Sequence, residues 1–537
     1  FGGEVSYERI VHDTLLDNYG VFAFNASKTG NAYADFLLGL PSTMTQDAPI
    51  RKLDNGAYYS FFAQDDFRIH PRVTLNLGLR YDLQQPLHDP QNRKLAFVPG
   101  RKSQIAPNAP EGLLFPGDDG ISRGIVKWDK NNIAPRVGMA WDPRGDGRMS
   151  IRAGAGIFFG SITGNEWNTT ADNQPFTVRQ SFPTVFTLSD PYRNQPGGVG
   201  PFPFEYNPAN PRFTFPAQVF GPSLEFVWPK TYQMNVTFEK ELFRNVSASA
   251  SYVGALGRNL PASIDRNYPV FGPGATTANV NARRPYQPGV ISAARVLESV
   301  FTSDYHGLQL AAEKRGSRFS GKAYYSFGKA VEDLDYQGGG LPAVQNSNDL
   351  TGEHARTSAD RTHTFTFSGI WQISYFGDSS PIARALLNNW TASAIVTLQS
   401  GTPLTITAGQ DRNFDGNTND RADLIGDPKL DSGRAREELI ELWFNTAAFV
   451  LPAVGADGSA PRSIVDGPGL RNVDLGVFRD IRLRGRTSLQ FRLEATNVFN
   501  IVNLLNPGTN FGAPATFAKI RTARDMRRIQ LGTRLSF

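Results

Sequence analysis

The chain closes on "RRIQLGTRLSF" (527–537). Taken every second residue, Ile529, Leu531, Thr533, Leu535 and Phe537 carry no charge and are mostly apolar. The residues between them, Arg528, Gln530, Gly532, Arg534 and Ser536, are polar or glycine. A period of two is the mark of a strand with one apolar face and one wet face. The same period recurs upstream. In "RVTLNLGLRYD" (72–82), Val73, Leu75, Leu77, Leu79 and Tyr81 alternate with Thr74, Asn76, Gly78, Arg80 and Asp82. In "TSLQFRLEATNVF" (487–499), Leu489, Phe491, Leu493 and Ala495 alternate with Gln490, Arg492, Glu494 and Thr496.

Fourteen such segments are expected, at 1–10, 57–69, 72–83, 132–143, 149–160, 228–242, 246–260, 298–315, 319–332, 361–375, 389–406, 472–483, 487–502 and 527–537. Most reach ten residues, where ordinary globular strands average about five or six. Short connections (69–72, 143–148, 242–245, 315–318, 484–486 and a longer 376–389) alternate with long ones (84–131, 161–227, 261–297, 333–360, 407–471, 503–526). An antiparallel sheet built this way has its tight turns at one end and its large loops at the other. Outer-membrane barrels have short periplasmic turns and long extracellular loops. Ten to twelve residues at about 3.3 Å each, tilted about 40°, span roughly 25–30 Å along the membrane normal. A charge on the lipid face at the midplane costs about 2–4 kcal/mol. In the quoted strands Arg80, Asp82, Arg492, Glu494, Arg528 and Arg534 all avoid the uncharged row. The expected fold is therefore all-β, an antiparallel transmembrane barrel domain over 1–537.

Composition agrees and narrows the function. Of 537 residues 20% are charged and 12% aromatic, so the chain is not compositionally disordered. A net charge of +5 with no basic run argues against nucleic acid as a partner. Cysteine is absent, which excludes disulfides, thiolate zinc and cysteine catalysis. The start, "FGGEVSYERI", lacks Met and is already strand-like, as expected of the interior of a longer polypeptide. Aromatics at strand ends suit interfacial girdles: Tyr58, Tyr59, Phe61, Phe62, Phe67, Phe158, Phe159, Tyr324, Tyr325, Phe327, Trp371, Tyr375 and Phe376.

Together, "FFAQDDFRIHPRVTLNLGLRYD" (61–82), "NIAPRVGMAWDPRGDGRMSIRAGAGIFF" (132–159), "YHGLQLAAEKR" (305–315), "YYSFGKAVED" (324–333) and "LQFRLEATNVFNIVN" (489–503) resemble the C-terminal barrel of TonB-dependent outer-membrane receptors, most closely their Oar-like branch. That resemblance implies a barrel of about 22 strands, a plug and coupling to TonB through a preceding part of the protein, and uptake of an extracellular ligand across a Gram-negative outer membrane. The sequence shows no plug and no TonB box, so these are expected to be the last fourteen strands; a smaller closed barrel is the alternative. The terminal Ile529, Leu531, Leu535 and Phe537 resemble the signal read by the barrel-assembly machinery. A structural or adhesive barrel, or a soluble all-β binding protein, are the other readings.

"DRNFDGNTNDRAD" (411–423) is the sharpest local motif. Asp411, Asn413, Asp415, Asn417, Asn419 and Asp420 supply hard oxygens around Gly416, the pattern of a calcium loop, although Ala422 stands where an EF-hand has Glu. An Asx-rich turn explains the same residues. No other cofactor is implied. "GSRFSGKA" (316–323) reads as a turn, because Ala323 replaces the magnesium-binding hydroxyl of a phosphate loop. Glu353, His354, Asp360 and His363 match no metal-binding spacing, and no nucleophile has a base beside it, so no enzyme is expected. The loop aromatics Phe202, Phe204, Tyr206 and Phe213 suit either a ligand or loop packing, and "NAYADFLLGLP" (31–41) reads as a short helix in an extracellular loop.

Overall fold

The computed structural model describes residues 1–537 apart from 15–16, 162–166, 168–171, 183, 205, 335–343 and 484, so Arg484 of the expected "RGR" turn lies outside the described residues. Fourteen long strands run in chain order: β1 Gly2–Thr14, β2 Ile50–His70, β3 Val73–Gln84, β4 Ile133–Trp141, β5 Met149–Phe159, β6 Lys230–Phe243, β7 Val246–Asp265, β8 Ile291–Lys314, β9 Phe319–Glu332, β10 His363–Ile373, β11 Trp390–Gln399, β12 Leu470–Arg482, β13 Ser488–Thr496 and β14 Arg528–Ser536. Each pairs antiparallel with the next. The sequence placed all fourteen. It missed how far β7 and β8 reach, because those strands continue past any membrane-spanning length and pair up to Asp265–Arg295.

The connections alternate as expected. Tight ones (71–72, 142–148, 244–245, 315–318, 374–389, 483–487) lie at one end, and long ones (15–49, 85–132, 160–229, 266–290, 333–362, 400–469, 497–527) at the other. Residues 315–318 are a turn between two strands, with the Gly316 N–H donating to the Ser320 hydroxyl at 3.3 Å. The Arg244–Asn245 turn needs positive φ, and Asn245 adopts 64°, a value asparagine tolerates.

Register converts the separate alternations into one surface. Cross-strand partners share a face. Leu75, Met139, Ala153, Val236, Tyr252, Leu308 and Phe327 form one unbroken uncharged row from β3 to β9. Trp371, Ala392, Val477, Leu493 and Leu531 continue the same face from β10 to β14. Val236, Leu308, Phe327, Leu493 and Leu531 are all exposed. Most charges on this face sit toward the strand ends, Lys240, Lys314 and Arg479 near the tight turns and Lys230, Lys329 and Arg471 near the loops, while Arg258 and Asp304, where β7 and β8 run on toward the loops, pair with each other at 2.6 Å. The opposite face is polar. There the Arg80 guanidinium donates to Asp82 at 2.8 Å, Tyr58 at 2.8 Å and Ser60 at 2.9 Å, while the Tyr58 hydroxyl donates to Asp82 at 2.5 Å.

The aromatic expectation needs correcting. Tyr58–Tyr59, Phe61–Phe62, Phe158–Phe159 and Tyr324–Tyr325 are neighbours in sequence, and neighbours on a strand point to opposite faces. Tyr58, Phe62, Phe158 and Tyr324 accordingly lie on the polar face, with the Arg136 guanidinium 4.4 Å above the Phe158 ring. A belt does form at the tight-turn end. The Trp371 indole donates to the Tyr375 hydroxyl at 2.9 Å, Arg318 lies over the Tyr375 ring, and Arg479 lies over Trp390. The helix α1, Pro381–Leu387, adds the exposed Ile382, Leu386 and Leu387.

Among the described residues the sheet is open: β1 pairs only with β2, and β14 only with β13. Pairing of β1 with β2 stops at Gly2–Phe62, so Ala63–His70 have β3 as their sole neighbour. Asp65, opposite Leu77 on the apolar face, is a charge inside its strand, and it stands beside this unpaired edge. The face assignment predicts an asymmetric response to charge. V236R should destabilise the protein in a bilayer by about 2–4 kcal/mol, whereas N235R on the polar face should cost far less, both read from urea unfolding in lipid vesicles.

Candidate functional site

The long loops are where this chain builds its packed interiors. Ile406, Ala422, Phe444, Phe449, Val465 and Phe517 form one buried cluster, gathered from the loops after β11 and β13. Leu87, Trp167, Phe226, Trp228 and Leu297 form a second, and Leu95, Leu113, Phe115, Phe176, Val219 and Ile291 a third. Edge-to-face aromatic contacts such as Phe444–Phe517, 5.2 Å between centroids, fix these packings. Short strands staple separate loops together: Arg179–Phe182 pairs with Thr43–Asp47, which pairs with Val21–Ala23. The loop after β3 is tied to β2 by an ion pair of Lys94 with Asp54 at 2.7 Å, both fully buried. Burying such a pair demands close geometry, and losing one partner would strand the other charge.

Packing also answers the loop aromatics. Tyr206 stands edge-on to Phe176 at 5.2 Å, Phe213 packs on the cluster around Phe176, and Phe202 packs on the one around Phe182. The segment 31–41 contains the expected helix, α2 (Ala32–Leu37), capped by Asn31, whose side chain accepts from the Tyr33 and Ala34 N–H groups. The four residues Glu353, His354, Asp360 and His363 go to separate partners. Glu353 holds Arg421 at 2.8 Å, His354 meets Asp333 at 2.6 Å, Asp360 accepts from the Ala330 N–H, and His363 meets Tyr325 at 2.8 Å.

The 411–423 loop folds as a web of side chain to backbone hydrogen bonds. The Asp411 carboxylate accepts from the N–H groups of Asp415 (3.1 Å) and Gly416 (2.9 Å). Asp415 accepts from the Asn417 N–H at 2.7 Å and the Asn417 amide at 3.0 Å. Asp420 accepts from the Arg412 and Asn413 N–H groups at 2.5 and 3.1 Å. The Asn413 amide reaches out to the Tyr268 hydroxyl (3.1 Å) and Asp457 (2.9 Å), and Asn419 donates to the Val344 carbonyl at 2.8 Å. Gly416 has φ 94°, a conformation glycine alone adopts readily. Among the described residues no three His, Cys, Asp or Glu side chains are grouped to hold a metal ion. Nothing in the local sequence pointed to Tyr268 or Asp457 as neighbours, or to Gln345, whose side-chain oxygen accepts from the Arg421 N–H at 2.7 Å, since each lies on a different loop or far along the same one.

Three carboxylates share this small volume. The Asp420 carboxyl is fully buried, and burial, followed by repulsion from Asp415 and Asp411, pushes its pKa up to about 6 despite the two backbone donors. Burial also raises Asp415 and Tyr268. A carboxyl raised on folding is easier to protonate in the native state than in the unfolded chain. Its penalty is therefore absent in acid and appears as pH rises from the ordinary value of 3.8 through about 6. D420N, which keeps an oxygen to accept from Arg412 and Asn413, should stabilise the protein at pH 7.5 by on the order of 1–3 kcal/mol and leave it unchanged near pH 4, as read by thermal melting in detergent. A terbium titration of the same samples reads the calcium expectation: luminescence that D415N abolishes would show an ion, and a flat titration the turn alone.

Residues 1–530 match the family described as "Outer membrane beta barrel domain". No curated protein sequence matches the chain. Among solved structures, the outer membrane transporter YddB from Escherichia coli superposes with a TM-score of 0.51 at 10% identity, over 99% of this chain and 50% of that one. The FrpB iron transporter from Neisseria meningitidis gives 0.41 at 14% identity, over 99% of this chain and 52% of that one. The siderophore receptor PiuA from Acinetobacter baumannii gives 0.40 at 9% identity, over 92% and 43%. The chain thus spans about half the length of these structures. A match along nearly all of a sheet with one charge-poor face and one polar face is decisive: the chain belongs to the outer membrane beta barrel domain family and resides in the outer membrane of a Gram-negative bacterium.

Proposed function

We propose that this barrel belongs to a TonB-dependent receptor of the Oar-like kind and takes up an extracellular ligand, driven through TonB with a plug domain supplied by another part of the protein. The open sheet carries the reading. Among the described residues its β1 and β14 edges and residues Ala63–His70 of β2 all lack a second strand neighbour. Unpaired backbone groups in hydrocarbon cost several kcal/mol each, so further strands must pair with them. A barrel wide enough to include those strands has room for a plug, and the structured loops above it form a walled entrance. The test is solute depletion. Cells carrying the intact gene should remove a defined set of solutes from the medium. Loss of TonB, or collapse of the inner-membrane proton gradient, should abolish that removal. Unchanged depletion would contradict transport and favour a structural or adhesive barrel.

Assembly is proposed to rest on the last strand. Ile529, Leu531 and Leu535 are exposed on the apolar side of β14, and Phe537, the residue after that strand, is exposed too, at the edge that the barrel-assembly machinery would meet. Deleting Phe537 should lower the amount of folded protein in the outer membrane several-fold. S536A, on the polar row, should leave it unchanged, as measured by heat-modifiable mobility on gels.

A further inference from the structure

A cavity of about 800 Å³ opens among the loops after β1, β5 and β7 and the start of β8. Its size suits a ligand of several rings. Its wall is unusual in chemistry. Four primary amides, Gln174, Gln180, Gln218 and Asn281, line it together with serine and threonine hydroxyls; Gln174 is bonded both ways to Thr214 and the Asn281 oxygen accepts from Arg284, which leaves Gln180, Gln218 and the Asn281 NH2 for a ligand. Amides and hydroxyls both donate and accept, so they pair with ligand groups that do the same. Phe215, about half exposed, adds an apolar platform beside them.

The charges of the wall are nearly all accounted for by the protein. Arg179 bonds Asp17 at 2.8 Å and lies 3.4 Å from Asp47. Asp172 is paired with Lys52. Arg295 differs. It is exposed, its guanidinium sits 5.5 Å from the centre of the Phe220 ring, and no carboxylate pairs with it among the described residues. A planar guanidinium held on an aromatic face presents a fork that fits a carboxylate.

We propose that this cavity binds an oligosaccharide carrying a carboxylate, with Arg295 on the acid group and the amides and hydroxyls on the sugar hydroxyls. A highly charged ferric chelate fits less well, because one unpaired cation cannot offset several negative charges. A metal ion alone fits less well still, because the wall offers no grouped metal-holding side chains among the described residues. This inference rests on the uptake reading for its biological sense, but binding in detergent needs neither TonB nor a gradient. The two therefore fail separately.

The experiment is calorimetry on the protein purified from outer membranes, with a galactose trimer carrying one terminal galacturonic acid, its fully neutral counterpart and a ferric tricatecholate of net charge about −3 as probes. The acidic trimer should bind, and the neutral one about tenfold more weakly. R295Q should bring the two to equal affinity without weakening the neutral trimer, and its gel mobility should match the unaltered protein. Failure of both saccharides to bind, an acid preference that survives R295Q, or tight binding of the ferric complex alone would overturn the proposal. Gradient-driven uptake of some other solute, with no saccharide binding, would overturn it while leaving transport standing.

Discussion

Hydrocarbon offers a backbone no partner. Every N–H and C=O of a strand that crosses it must be paired by another strand, and every side chain facing outward must tolerate lipid. The long strands, the antiparallel order and the charge-poor outer rows of this chain all follow from that one constraint. So does the position of the packed interiors. A barrel wall is one strand thick and faces water on its inner side, so it cannot bury much apolar surface against itself. The fully buried side chains therefore gather in the loops, around Phe444 and Phe517, around Trp167 and Trp228, and around Leu95 and Ile291.

That division explains what the sequence made legible. A strand in lipid announces itself locally, because Leu75, Leu77 and Leu79 must alternate with Asn76, Gly78 and Arg80 whatever lies elsewhere in the chain. The fourteen strands and the asymmetry of their connections could be read from such patterns. The loops obey a different logic. Phe444 meets Phe517 and Gln345 meets Arg421 across scores of residues, and no short window contains both partners. The helix at Ala32–Leu37 was legible because its cap, Asn31, is local. The extra length of β7 and β8 was not, because it is stabilised by pairing with each other and with Ala217–Pro222 above the membrane.

The 411–423 loop shows the limit of reading a motif by residue type. Alternating Asp and Asn with a following Gly can surround a cation or can cap a turn, and both use the same oxygens. The structure shows those oxygens accepting backbone N–H groups, while the Asn413 amide nitrogen donates to Tyr268 and Asp457 and ties the loop to them. The cavity near Arg295 was invisible in sequence for a related reason. Its wall comes from four distant stretches of chain, and its distinguishing feature is a charge that the others fail to neutralise.

Which row of side chains meets lipid can be measured directly on β6, because these 537 residues contain no cysteine. Single substitutions M234C, N235C, V236C, T237C and F238C, labelled with a bimane probe in vesicles, should alternate. Fluorescence at positions 234, 236 and 238 should be quenched by brominated lipid, and at 235 and 237 by aqueous iodide. Uniform quenching by iodide, or the opposite alternation, would contradict the assignment of outer and inner faces on which every functional conclusion depends.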